Sequence, residues 1–133
     1  MKIRYKEKST YKYTLYEGVL FETGIRVDRS FHIGPLKMQL GGTLVISAGY
    51  SWDGPSGPTI DTRTFMRGSL IHDAIYQLIR EGALTLMDRK RADDLLKEIC
   101  LEDGMARFRA WYVYKIVREF GGKHCKPSII TAP

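Results

Sequence analysis

The 133-residue sequence contains little cysteine, no long apolar run and fewer acidic than basic residues. Two cysteines are too few for a disulfide scaffold, and no Cys/His spacing of the zinc-binding kind occurs. No apolar stretch approaches the roughly 20 residues of a membrane-spanning helix. The sequence also lacks a Walker loop, a dinucleotide-binding fingerprint and a G-x-S-x-G nucleophile elbow. These absences argue against a disulfide-stabilised module, a zinc enzyme and the common nucleotide-binding enzymes.

The composition that remains is that of one globular domain over residues 1–133. Hydrophobic residues make up 44% and charged residues 27%, which allows a core without help from disulfides. Residues 1–10 are charged, unlike a secretory signal, so we expect a reducing compartment and a buried free thiol at Cys100. The net charge of +6 favours anionic partners, although basic residues that are simply solvated are the alternative.

The first 50 residues have the apolar–polar alternation of short β-strands. Gly34-Pro35 is a turn signal, and Gly41-Gly42 separates two apolar runs as a hairpin turn does. Residues 1–50 are therefore predicted to form a small, mostly antiparallel sheet. The candidate strands lie at residues 11–16, 19–27, 30–33, 37–40 and 43–48.

The composition changes at Ser51, where glycine and proline become frequent. The segment 51–63 is predicted to be a loop, and the segment 64–122 repeats apolar residues at helical spacing. An irregular tail is expected over 123–133. The predicted fold class is α+β, with an N-terminal antiparallel sheet, a Gly/Pro loop and three helices, two of them packed antiparallel. The helices are placed near residues 64–82, 85–104 and 106–120.

Two local signals refine the helical part. Thr85 and Asp88 resemble a capping box at the start of the second helix, with aspartate in place of the usual glutamate or glutamine. The aromatic side chains of Trp111, Tyr112 and Tyr114 belong to the third helix, and they are expected to pack in the core.

A helical wheel selects a small group of polar residues for the interior. His72 lies within the apolar stripe of the first helix, and Tyr76 lies one turn further on the same side. Asp73 is rotated from His72 by about 100° and lies at the edge of the stripe. On the second helix, Asp93 flanks the apolar stripe, whereas Asp94 points toward solvent. Asp93 is therefore the aspartate expected to reach a partner inside the protein.

These residue types can carry out acid–base chemistry. The imidazole of His72 can act as a general base near neutral pH, and a carboxylate such as Asp93 on its second nitrogen would fix the tautomer. Tyr76 can steady a carboxylate through its hydroxyl group. The alternative is structural: a hydrogen-bonded but inert core histidine beside a core tyrosine.

A hard cation is the second chemical possibility. The carboxylates of Asp53 and Asp73, with backbone carbonyls turned inward around Gly54, are the oxygen ligands that Ca²⁺ prefers. The alternatives are a plain Asp53-Gly54 turn and a salt bridge from Asp73 to a nearby arginine.

Four blocks of the chain occur in order, and they are I-S-A-G-Y-S-W-D-G-P-S-G-P, R-G-S-L-I-H-D-A-I-Y, R-K-R-A-D-D and Y-K-I-V-R-E-F-G. Together they resemble an uncharacterised family of small proteins from tailed phages and prophages. That resemblance implies a phage-related origin, in the host cytoplasm or in the phage particle, and it implies no activity.

The order D-G-x-S, H-D-x-x-Y, R-x-x-D and an aromatic final helix ending V-R-x-F-G is also distantly similar to bacterial and fungal secretory phospholipase A₂. This resemblance implies a phospholipase A₂-like helical core, with His72 as general base, Asp93 as the residue that orients it, and Tyr76 as support for Asp93. It implies that Asp53, Asp73 and a loop carbonyl bind Ca²⁺. The family's loop cysteine is replaced here by Pro55.

Two functions are therefore expected from different classes. One is a calcium-dependent hydrolase of phospholipid-like esters that acts at a phospholipid membrane surface. The other is a non-enzymatic virion or assembly protein that contacts other phage proteins and uses the His/Asp cluster only for structure. Nucleic-acid binding is the weakest expectation, because the basic residues are scattered and no recognition motif is present.

Overall fold

A computed structural model of the chain describes residues 3–7, 13–53 and 63–126. Within these ranges, seven short β-strands are followed by three α-helices, so the predicted α+β fold class is confirmed. The strands are β1 (Tyr5–Glu7), β2 (Tyr13–Leu15), β3 (Val19–Glu22), β4 (Phe31–Ile33), β5 (Leu36–Met38), β6 (Thr43–Ile46) and β7 (Ser51–Trp52). The helices are α1 (Arg63–Arg80), α2 (Arg89–Glu102) and α3 (Arg107–Phe120).

The strands of the described residues form two antiparallel sheets rather than the single sheet that we expected. One sheet has the order β1-β2-β7 and the other has the order β3-β6-β5-β4. Ser51 and Trp52, which were assigned to the start of the loop, pair with β2 instead. The reason is packing: the indole of Trp52 is buried, with its ring 5.6 Å from that of Tyr13. Aromatic burial thus extends the β-rich part by two residues.

The hairpin predicted at Gly41-Gly42 is present. Strands β5 and β6 pair antiparallel, with Met38 opposite Leu44. Both turn glycines have positive φ angles, +100° at Gly41 and +95° at Gly42, which side chains with a Cβ rarely adopt. The turn therefore requires glycine at both positions, and it fixes the register of β5 against β6.

Helices α1 and α2 pack antiparallel, as predicted. Residues early in α1 meet residues late in α2, so Arg67 pairs with Asp103, just beyond the C-terminus of α2, at 2.9 Å. The two backbones approach closely at Gly68, where an added Cβ would lie 2.9 Å from the sulfur of Cys100. Cys100 is a buried free thiol, as expected. Most of α1 is buried, because the sheets cover one side of this helix and α2 covers another.

The start of the second helical segment has the predicted cap. A 3₁₀ turn at Leu86–Asp88 precedes α2, and both hydrogen bonds of the capping box are present. The Thr85 amide donates to the Asp88 carboxylate at 3.1 Å, and the Met87 amide donates to the Thr85 hydroxyl at 3.3 Å. Gly104, with a φ angle of +99°, follows α2 where the stop was predicted.

Two expectations about the third helix and the tail are wrong. Trp111 and Tyr112 are about half exposed, because the buried apolar contact of α3 with α2 is made by Ala110 and Val113 rather than by these aromatic residues. The start of the predicted irregular tail is regular, because a 3₁₀ helix at Gly121–Cys125 continues from α3 and packs against α1, whereas residues 127–133 of that tail lie outside the described residues. No helix of the described residues has the length and apolar character needed to cross a membrane.

Replacing Gly42 with alanine should destabilise the protein more than replacing Gly41. A Cβ at Gly41 meets no atom within 4 Å, so this substitution carries only the cost of its φ angle, about 1–2 kcal/mol. A Cβ at Gly42 would lie 2.5 Å from the carbonyl oxygen of Ile25, which adds about 1–3 kcal/mol. Urea unfolding of the two variants measures the difference. Equal midpoints would contradict the described turn.

Candidate functional site

A buried histidine–aspartate pair joins α1 to α2. Nε2 of His72 lies 2.7 Å from Oδ1 of Asp93, and the hydroxyl of Tyr76 donates to the same oxygen at 2.5 Å. The rings of His72 and Tyr76 lie against each other, with their centroids 4.0 Å apart. Asp93 is completely buried, as the wheel predicted, whereas Asp94 binds Lys90 at the surface. The structure thus brings His72, Tyr76 and Asp93 together.

Two arginines complete the surroundings of Asp93. Arg118, on α3, donates to the second carboxylate oxygen at 2.8 Å. Arg89, one helical turn before Asp93, has its Nε 3.9 Å from that oxygen and 3.1 Å from the Tyr76 hydroxyl. Arg89 also donates to backbone carbonyls near the end of α3, at Val117 and Arg118. The carboxylate of Asp93 is therefore the point at which all three helices meet.

Sequence reasoning missed both arginines as parts of the site. A signal for Arg89 exists, because Arg89 and Asp93 have the i, i+4 spacing of a helical ion pair. No local signal identifies Arg118, since its contact with Asp93 depends on how α3 packs. Gly121 is a third missed residue: a Cβ there would lie 2.8 Å from the Tyr76 hydroxyl, so glycine leaves room for this group.

The surroundings shift the pKa values of the cluster in the directions that favour charge on Asp93. Burial raises the pKa of Asp93, but its hydrogen bonds with His72, Tyr76 and Arg118 outweigh burial and bring the pKa below its usual value. Burial raises the pKa of Tyr76, and the hydrogen bond to Asp93 raises it further, so the tyrosine stays protonated. Asp93 is thus an ionised acceptor, and its partners are all donors.

This assignment fixes the tautomer of His72. An ionised carboxylate can only accept, so Nε2 of His72 carries a proton and donates it to Asp93. In the neutral ring, Nδ1 is then the basic atom, and it lies 3.7 Å from a carboxylate oxygen of Asp73. Burial lowers the pKa of His72, but the Asp73 and Asp93 carboxylates outweigh burial and raise it overall. The arrangement can accept a proton at Nδ1.

The proposed metal ligands are only partly described. Asp73 is 35% exposed and lies beside His72, at the edge that the wheel predicted. Asp53 is exposed at the end of β7, and it makes no hydrogen bond or ion pair with another described residue. Gly54 lies outside the described residues. Within residues 3–7, 13–53 and 63–126, no group of three or more His, Cys, Asp or Glu side chains is placed to hold a metal ion.

Replacing Asp73 with asparagine should lower the pKa of His72. The pKa is expected above the reference value of 6.5 in the wild-type protein, and it should fall when the Asp73 charge is removed. NMR titration of the His72 ring protons measures both values. The matched control is Asp94→Asn, which should leave the titration of His72 unchanged. A pKa of His72 that is the same in the Asp73→Asn variant would exclude Asp73 as a cause.

Replacing Asp93 with alanine should destabilise the protein by about 3–5 kcal/mol, because it leaves buried donors and Arg118 without their acceptor. Asp94→Ala, one residue away, is the control and should change stability little. Since the pKa of Asp93 is lowered by folding, its ionised form stabilises the protein above pH 3.8, and this stabilisation is lost as the pH falls through the folded pKa. Denaturant unfolding at several pH values measures the stability of both variants. Equal stabilities of the Asp93→Ala and Asp94→Ala proteins at every pH would refute the prediction.

Comparison with known proteins gives a family but no activity. Residues 35–117, more than half of the chain, match the model of a family described as "Protein of unknown function (DUF1353)". The match includes β5 to β7, both helices of the His72–Asp93 pair and most of α3. No curated protein and no solved structure is significantly similar to the chain. The cluster of His72, Tyr76 and Asp93 thus lies within the matched region, and the chain belongs to the DUF1353 family.

Proposed function

We propose that this protein is a phage- or prophage-encoded hydrolase of phospholipid-like esters, with His72 as the general base. One observation carries the proposal: the buried hydrogen bond from His72 to Asp93 leaves Nδ1 as the basic atom beside the partly exposed Asp73. A histidine held by a buried carboxylate is an arrangement that activates water or hydroxyl nucleophiles. The phage origin is supported by the four sequence blocks that resemble phage proteins.

The residues of the cluster suffice for the proton transfers of ester hydrolysis. Nδ1 of His72 takes a proton from water while the water oxygen attacks the ester carbonyl. The imidazolium that forms is stabilised by Asp93, which Tyr76 and Arg118 keep ionised. The same proton then passes from Nδ1 to the leaving alkoxide as the tetrahedral intermediate breaks its carbon–oxygen bond. The neutral histidine is restored, and one water molecule is consumed.

Calcium belongs to this proposal as the expected cofactor. Asp73 and Asp53 offer carboxylate oxygens of the right chemistry, and the carbonyl of Gly54 is the proposed third donor. Ca²⁺ takes six to eight oxygens, so these residues alone do not complete its shell, and water or further carbonyls must contribute. When bound there, a cation supplies positive charge for the developing oxyanion.

Replacing His72 with asparagine should reduce fatty-acid release from mixed phospholipid vesicles by at least about 100-fold, because the proton acceptor is lost. The matched control is His32→Ala, an exposed histidine on β4, which should retain full activity. Chelation of calcium should also abolish release. Thermal unfolding of each variant separates lost chemistry from lost folding. Equal release from a folded His72→Asn protein, or none from the wild type, would refute the proposed activity.

A non-enzymatic virion or assembly protein is the second candidate. The observation that favours it is the complete burial of Asp93 among donors from three helices, which is what a purely structural cluster needs. Under this candidate, the wild-type protein releases no fatty acid with or without calcium, and the His72→Asn variant differs from it only in stability. The assay described for hydrolysis therefore distinguishes the two functions.

A further inference from the structure

The outward side of α3 is an exposed surface of aromatic and aliphatic side chains. Phe108 is 76% exposed, Phe120 62% and Trp111 48%, which is unusual for residues of this size on one helix. The rings of Phe108 and Trp111 lie 6.0 Å apart, and the helix from residue 108 to residue 120 spans about 18 Å. Several large apolar side chains exposed along one helix are typical of an interaction site. We call it the α3 face, and it comprises Phe108, Trp111, Tyr112, Ile116 and Phe120.

Cations surround one end of the α3 face. A groove of about 380 Å³ between α2 and α3 is lined by two of these cations, Lys97 and Arg107, together with Leu101, Phe108 and Trp111. Lys115 adds a third cation, with its Nζ 5.9 Å from the centre of the Trp111 ring. The face and groove thus combine apolar side chains with positive charge.

The nearby acidic residues are not paired with these cations. Glu119, which is exposed on α3 one helical turn after Lys115, is not within ion-pair distance of it. Glu102 and Asp103, at the end of α2, both pair with Arg67 on the other side of the helix. Glu98 pairs with Arg91. Among the described residues, no carboxylate lies within ion-pair distance of Lys97, Arg107 or Lys115. A partner for this surface should therefore supply both negative charge and an apolar phase.

We propose that the α3 face binds the surface of an anionic phospholipid membrane. Tryptophan, tyrosine and phenylalanine insert at the boundary of head groups and acyl chains, while lysine and arginine bind the anionic head groups. A second copy of the chain fits less well, because pairing two such faces brings cations together. A single-stranded nucleic acid would stack on the rings, but it would leave Ile116 and Leu101 unused.

This inference deepens the proposed function, because it names the surface that brings the protein to its lipid substrate. Binding and hydrolysis are nevertheless separate measurements. Vesicle binding without release of fatty acid would refute the proposed hydrolase and leave the α3 face supported. Hydrolysis of dispersed short-chain esters without any vesicle binding would refute membrane binding by the α3 face and leave the proposed hydrolase supported.

The test is co-sedimentation with vesicles of phosphatidylglycerol, compared with vesicles of phosphatidylcholine. The wild-type protein should bind the anionic vesicles, with an affinity that falls as salt is added. The double variant Phe108→Ala/Trp111→Ala should lose at least about tenfold in affinity, since two rings no longer enter the interface. The control is Leu20→Ala, a residue on β3 that is 63% exposed, and it should bind like the wild type.

The vesicle-binding assay also tests the role of the cations and the insertion of the Trp111 ring. Lys97→Glu/Arg107→Glu should weaken binding to phosphatidylglycerol by at least about tenfold, whereas Lys37→Glu/Lys90→Glu, with the same net charge, should weaken it less. Trp111 emission should shift to shorter wavelength with anionic vesicles, and the Trp111→Phe variant should show no shift, because Trp52 is buried.

Three results would overturn the proposal. The first is binding that the α3 variants do not change, or no binding at all. The second is a concentration-dependent dimer that the Phe108→Ala/Trp111→Ala variant abolishes, which would assign the face to a second copy. The third is tight binding of single-stranded oligonucleotides that vesicles cannot displace.

Discussion

The buried carboxylate of Asp93 is the constraint on which the helical part of the protein depends. An ionised group removed from water is tolerated only when donors replace its hydration. Here the donors come from different helices: His72 and Tyr76 from α1, and Arg118 from α3. Each helix must therefore adopt the position that brings its donor to Asp93. The same requirement that fixes the packing also fixes the orientation of the His72 ring.

This arrangement combines structure and chemistry in one set of contacts. Hydrogen bonds with His72, Tyr76 and Arg118 keep Asp93 ionised, and an ionised Asp93 determines which nitrogen of His72 carries the proton. A structural cluster and a catalytic one would share these bonds, and they differ in what lies at Nδ1. That atom lies 3.7 Å from a carboxylate oxygen of Asp73, whose side chain is partly accessible to solvent. Whether the cluster is structural or catalytic therefore depends on what contacts Nδ1 of His72, the ring nitrogen that does not bond to Asp93.

Helical geometry explains why parts of the site could be predicted from the sequence. The 100° rotation per residue separates Asp93 from Asp94, so one wheel suffices to assign the inner aspartate. The contact of Arg118 could not be predicted in this way, because it depends on the packing of α3. The division of the strands into two sheets could not be predicted for the same reason. Apolar–polar alternation predicts where strands lie, but which strands pair depends on contacts between residues far apart in the sequence. The helical spacing of apolar residues predicted α3, but it could not show that, among the described residues, no other element covers Trp111 and Tyr112.

Gly68 has a consequence for the site although it carries no functional group. Because it lacks a Cβ, α1 can approach the sulfur of Cys100 and the side chain of Leu96 on α2. His72 lies one helical turn further along α1, so the spacing of the two backbones at Gly68 limits how near its ring comes to Asp93. A larger residue at this position would push α1 and α2 apart and lengthen the 2.7 Å hydrogen bond between His72 and Asp93. Gly68 therefore influences the length of the hydrogen bond between His72 and Asp93, although it takes no part in that bond.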